Sequence, residues 1–174
     1  RHALDRALAE ENARLVIMGF PEVRRAFPPR LRAKTLVEPV VAFADFAAMR
    51  RMMATVDVAL LPLSDSPFNW GKSPLKALQF GLAGVPIMAS EIVYGKLFAP
   101  GEDAPMFLLP PDPAAWEEAL PPIIHAAREK RLGYLAQAWR EQVVRKHCLE
   151  SPRADRVAPM ATMWLDICEE VASE

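Results

Sequence analysis

Five short apolar runs, at residues 15–18, 35–37, 58–63, 86–89 and 106–109, constrain this chain more than any other feature. Each is continuous rather than alternating, and each is followed by turn residues or by a stretch with helical spacing. Unbroken apolar strands belong to a parallel sheet covered on both faces, because an antiparallel sheet wetted on one side alternates. The first run ends in Gly19-Phe20-Pro21, a turn signal. Between the second and third, Phe43, Phe46, Ala47, Met49, Met52, Met53 and Val56 fall near helical spacing with Arg50 and Arg51 facing away, which predicts a connecting helix. Asp112 and Pro113 read as the N-cap and first residue of a helix carrying Trp116, Ala119 and Leu120, which Pro121-Pro122 is expected to interrupt or restart. Residues 123–149 and 153–171 are helical and amphipathic, so the last third carries no strand. Strand and helix alternating with right-handed crossovers give the fold class: α/β, an open doubly wound parallel sheet with a helical C-terminal extension.

Composition fits this class and excludes others. With 52% hydrophobic residues among 174, the chain builds a sizeable core and is no disordered tail. The 21 basic and 22 acidic residues nearly cancel, so no global field draws the chain to nucleic acid or an anionic membrane, and any anion site is local. Cys148 and Cys168 form neither a disulfide framework nor a zinc pattern; both read as buried thiols in a reducing compartment. The longest uncharged run, residues 77–90, is interrupted by Gly81, Gly84 and Pro86 and is too short to span a bilayer. A soluble protein is expected, and Arg1 is not a natural start, so a piece of a longer protein is expected too.

Ligands in such sheets bind beyond the carboxyl ends of the strands, where the strand order reverses. The loop after the strongest strand therefore draws the eye. Ser73 and Pro74 read as N-cap and first residue of a helix running to about Ala83, ended by Gly84. Leu75, Leu78 and Leu82 make its buried stripe. With the helical phase carried back one residue before the cap, Lys72, Lys76, Gln79 and Ala83 share one adjacent face. A helix N-terminus carries about half a positive charge, so lysines there are repelled by roughly 0.3–1 kcal/mol each unless an anion shares the site. Free amides, the Ser73 hydroxyl, Gly71 permitting close approach and two ammonium groups describe a phosphate or diphosphate pocket. The bland alternative is a turn with two solvated lysines. The string is no Walker A loop, because Asp65 or Ser66 stands where its first glycine belongs.

From Asp57 to Ser90 the strand ending in "LLPL", the polar loop, the helix and "GLAGVPIMAS" resemble the C-terminal nucleotide-sugar-binding domain of GT-B glycosyltransferases, nearest the retaining group-1 (family 4) type. The resemblance extends to residues 15–19, to Asp57 and to Asp112-Pro113, about 100 residues in all. It implies a Rossmann-like domain whose residues 1–112 form the donor-binding core, with residues 113–174 packing on the same domain. It further implies sugar transfer from a nucleoside diphosphate to an acceptor hydroxyl, with retention. Lys72 and Lys76 would assist departure of the diphosphate as the catalytic residues, and Gly71, Ser73, Leu75, Gln79, Ser66 and Asn69 would hold the donor. No cofactor or metal is implied, because the donor is a substrate and no DxD pair is present. The glycan, lipid or protein acceptor would bind an N-terminal domain outside this sequence. The localisation implied is cytoplasmic, with peripheral association of the full-length protein at the inner face of the membrane left open. Nucleic acid is not an expected partner.

Two departures from the family pattern stand out. Its two glutamates fall on Gly71 and Gln79, so the ribose partner becomes an amide without charge-assisted strength. This favours a second reading, a degenerate domain serving as a non-catalytic binding or interaction module, whereas Lys72, Ser73 and Lys76 favour the enzyme. Asp65 and Trp70 could meet sugar or base, with Trp70 as readily packing under the loop. Ser90, Glu91 and Tyr94 follow the next strand and line the same cleft or serve as surface and packing residues. His2, His125 and His147 are scattered. Met49, Met52, Met53 and Met88 read as core filler. Arg24, Arg25, Arg30, Arg32 and Lys34 form the densest basic stretch, read as a solvated helix face.

Overall fold

The computed structural model describes residues 4, 8, 13–18, 21–32, 35–38, 46–100 and 102–149. The helix expected over residues 153–171, together with His2, Lys34, Phe43 and Cys168, lies outside them. In chain order the elements are β1 (Leu15–Met18), a 3-10 helix (Pro21–Ala26), α1 (Pro29–Arg32), β2 (Thr35–Glu38), α2 (Phe46–Met53) and β3 (Ala59–Leu61). There follow α3 (Pro67–Trp70), α4 (Leu75–Leu82), β4 (Ile87–Ser90), α5 (Glu91–Tyr94), a second 3-10 turn (Gly95–Leu97) and β5 (Phe107–Leu109). The chain continues through α6 (Pro113–Arg128), α7 (Gly133–Val143) and a π-helical turn (Val144–Leu149).

Every strand pairing is parallel. β1 and β2 form one two-stranded sheet with Leu15 opposite Thr35. β3, β4 and β5 form a three-stranded sheet in that order, with Ala59 opposite Ile87 and Met88 opposite Phe107. The continuous apolar runs have the cause expected of them, since successive residues of the three-stranded sheet enter different cores. Ala59, Leu61, Ile87 and Ala89 join Ala77 and Leu82 of α4 and Trp139 and Val143 of α7. Val58, Leu60, Met88, Phe107 and Leu109 face the other way, onto Leu120, Ile123, Ile124 and Ala127 of α6. Helices therefore cover both faces, and the central strand β4 is buried at every position. Ala13, just ahead of β1, packs in the α6 core with Val58 and Leu60.

Local signals set most boundaries. Asp112 caps α6, accepting from the Ala114 and Ala115 amides at 3.3 Å each, with Pro113 following it. α4 ends in a Schellman turn: Gly84 takes φ +67°, its N–H reaches the Gly81 carbonyl at 2.9 Å, and the Val85 N–H reaches Phe80 at 3.0 Å. α6 departs from expectation, because it runs unbroken through Pro121 and Pro122. Each proline removes a donor from a carbonyl four residues back. Burial of Leu120, Ile123 and Ile124 on either side of the pair holds the helix together across the loss.

The α7 end is tied to the segment before β5. Glu102 accepts from the Ala99 amide at 2.9 Å and from Gln142 Nε2 at 2.8 Å, and it pairs with Lys146 Nζ. The Lys146 hydrogen bond, then the Ala99 amide, holds the Glu102 carboxyl below its ordinary pKa of 4.5. A depressed carboxyl adds stability that is complete above the unfolded-state pKa and lost as pH falls through the folded value. Thermal melts are expected to fall more steeply below pH 4.5 in wild type than in Glu102→Gln, which keeps the shape but not the charge. Parallel pH profiles would remove Glu102 from the account.

Candidate functional site

The loop beyond β3 is folded by its own hydrogen bonds. Ser66 caps the single turn α3, its Oγ accepting from the Asn69 N–H at 3.3 Å, with Pro67 as the first helical residue. Asn69 is buried, and its Nδ2 donates to the Ser64 carbonyl at 2.8 Å and to Ser64 Oγ at 3.1 Å. Trp70 Nε1 donates to Asp65 Oδ1 at 2.6 Å, and Lys96 Nζ, from the turn after α5, donates to the Trp70 carbonyl at 2.8 Å. This turn is absent from the sequence reading, although Ser66-Pro67 repeats the Ser-Pro start of the helix that follows. Ser66 and Asn69, assigned above to the donor, thus spend these polar atoms on the loop.

Helix α4 begins one residue later than Ser73-Pro74 suggests. Pro74 is the N-cap, at φ -77° and ψ 11°, and its carbonyl accepts from the Ala77 N–H at 2.9 Å. Ser73 still contributes: its Oγ accepts from the Leu75 N–H at 3.2 Å. The shift corrects the placement of Lys72. Residues 71–74 are not helical, so the phase of α4 does not extend back to Lys72, and only Lys76 stands in its first turn. Lys72 follows α3 instead, four residues after Phe68, and its Nζ lies 5.0 Å from that ring's centroid, a cation–π contact. Gly71, Lys72, Ser73, Leu75 and Lys76 are exposed, and Gln79 is half-buried. The first turn of α4 carries no acidic residue.

Ser90 is structural. It is fully buried, and its Oγ accepts from the Leu63 N–H at 2.8 Å and donates to the Leu63 carbonyl at 3.1 Å. One hydroxyl thereby extends the β3–β4 ladder by a rung at the point where the site loop departs. Ser90→Ala leaves both Leu63 groups without their partner and is expected to cost about 1–3 kcal/mol in urea denaturation. Tyr94 is likewise a core residue, 4% exposed, and burial pushes its hydroxyl pKa up. Glu91 is exposed in the first turn of α5.

The remaining candidates lie apart. Arg24 Nη2 donates to the Arg32 carbonyl at 2.8 Å, and Arg32 Nε and Nη2 donate to the Phe27 and Arg25 carbonyls, so this basic stretch knits its own turns. His125 faces Glu129 at 3.2 Å, one turn along α6. Met53 and Met88 are buried and Met52 and Met49 half-buried, as core filler requires. Among the described residues no group of three or more His, Cys, Asp or Glu side chains could hold a metal ion, and no helix is long and apolar enough to cross a membrane. Compared with known proteins, the chain matches no protein-family model and no curated sequence.

Proposed function

We propose that this chain is the donor-binding domain of a cytoplasmic glycosyltransferase, which binds a nucleoside-diphosphate sugar at the start of α4. The observation that carries the reading is the approach to that helix: Gly71, Lys72 and Ser73 lead directly from the loop beyond β3, and Lys76 follows with no acidic residue in the first turn. A hydroxyl and two ammonium groups beside the first turn of a helix suit the two phosphates of a leaving diphosphate. Lys72, resting over Phe68 on a flexible stem, would swing to the ligand, whereas Lys76 is carried by the helix. Gln79, one turn further along, would meet the ribose. On this reading the two parallel sheets belong to one doubly wound sheet, and β3 borders the point where strand order reverses. The sugar would pass, with retention, to an acceptor hydroxyl presented by a second domain, so this chain alone transfers none.

Calorimetric titration of UDP, GDP and ADP into wild type and into Lys72→Ala/Lys76→Ala tests the assignment. At least one diphosphate is expected to bind wild type, and the double variant to lose about tenfold or more in affinity, as for two charge-assisted contacts. Equal affinity would move the site elsewhere. The module reading draws on the internal hydrogen bonds of Asp65, Ser66, Asn69 and Trp70, together with Gly71 and Gln79 in place of two carboxylates. It gains if a well-folded wild type binds none of the three nucleotides.

A further inference from the structure

Among the described residues the exposed large hydrophobics are Val23, Phe68, Trp70, Leu75 and Tyr134, and three of these lie between residues 68 and 75, on the way from α3 into α4. Trp70 differs from its neighbours. It is 52% exposed yet held at both ends, by Asp65 at its indole nitrogen and by Lys96 at its carbonyl. Fixing a half-exposed indole costs side-chain entropy and keeps apolar surface in water, which its two hydrogen bonds offset only in part. Lys72 sits on the Phe68 ring, whereas among the described residues no such cation lies over Trp70. With its N–H already donated, the Trp70 indole keeps no polar group for a ligand, and what its ring can add is a π face whose negative charge favours weakly positive C–H groups. The C–H face of a pyranose is such a surface.

Order along the loop selects the sugar over the base. On the donor-binding reading, the diphosphate lies at the start of α4 and the ribose at Gln79, further along the helix. The group bonded to the far phosphate would then lie on the N-terminal approach to α4, which in chain order is Trp70 and Gly71. Gly71 leaves room there, since the nearest atom to a Cβ built on it is the Phe68 carbonyl oxygen, 3.9 Å away. Asp65 is exposed, and Trp70 engages only one of its two carboxylate oxygens among the hydrogen bonds of the described residues. We propose that Trp70 is the platform on which the transferred sugar stacks, with Asp65 as the residue that positions it.

The test compares UDP-glucose, GDP-mannose and ADP-glucose with UDP, GDP and ADP by calorimetry, in wild type, Trp70→Ala, Trp70→Phe, Asp65→Ala and Asp65→Asn. In wild type one sugar nucleotide is expected to bind more tightly than its own diphosphate. Trp70→Ala should lower affinity for that sugar nucleotide about tenfold and leave the diphosphate unchanged, the size of one aromatic contact. Trp70→Phe should keep most of the preference. Asp65→Ala should lose it, and Asp65→Asn, which still accepts from the indole, should restore it in part. Equal losses for sugar nucleotide and diphosphate, or no loss in either, overturn the proposal while leaving the diphosphate site standing. Failure of wild type to bind any of the six overturns the donor-binding reading, and this one with it.

Discussion

Trp139→Ala is expected to lower the unfolding free energy by about 3–5 kcal/mol, the cost of deleting a large buried aromatic side chain. Trp139 is 1% exposed at the centre of the core formed by α4, α7 and the three-stranded sheet. Its ring lies 5.6 Å from that of Phe98, centroid to centroid, and its Nε1 donates to the Ala77 carbonyl in α4 at 3.0 Å. Truncation opens a cavity beneath the helix that starts the candidate site, and a few kcal/mol is a large share of a small domain's stability. Trp139→Phe separates the hydrogen bond from the volume. Within α4 the Ala77 carbonyl keeps a helical donor, so the loss of the indole N–H costs less, about 1 kcal/mol, apart from repacking. Urea denaturation of both variants measures the difference. Similar small losses in the two would mean that α7 is not anchored through this ring.

Which features were legible in the sequence depended on whether their cause was local. The parallel pairing followed from unbroken apolar runs, because burial on both faces leaves its mark within a few residues. Asp112-Pro113 and Gly84 marked their helix ends for the same reason. Lys130 gave no comparable signal: it adopts φ 55° at the end of α6, where a glycine would have announced the turn. Pro121-Pro122 argued for a break that tertiary burial overrode. Around the candidate site, Gly71, Lys72, Ser73 and Lys76 stand out by residue type alone, but carrying the phase of α4 back before its cap puts Lys72 on a helix face it does not share, because residues 71–74 are not helical. The indole of Trp139 was invisible as an anchor, since its partner, Ala77, is 62 residues away. Ser90 was singled out for its place after a strand, but only the fold joined it to Leu63, 27 residues earlier.

Gly81→Ala is expected to destabilise the fold by about 1–3 kcal/mol, although alanine is the better helix former by about 1 kcal/mol. Gly81 is buried in α4 directly beneath α7. A Cβ there would press on Trp139 Nε1, stand 2.7 Å from its Cδ1 and 2.9 Å from Val143 Cγ2. The indole cannot step aside without loss, because moving it stretches its bond to Ala77 and disturbs a packed core. Overpacking therefore outweighs propensity. Gly81→Val, with two further carbons in the same gap, should cost more still. The contact itself is isolated by a double-mutant cycle. With Trp139 already truncated to alanine, the Gly81→Ala Cβ keeps only its approach to Val143 Cγ2, a methyl that can turn into the vacated space, so the substitution should cost clearly less than in wild type. The difference between the two backgrounds reports the clash with this ring. If Gly81→Ala costs the same in both backgrounds, the Trp139 ring does not limit the size of the side chain at Gly81.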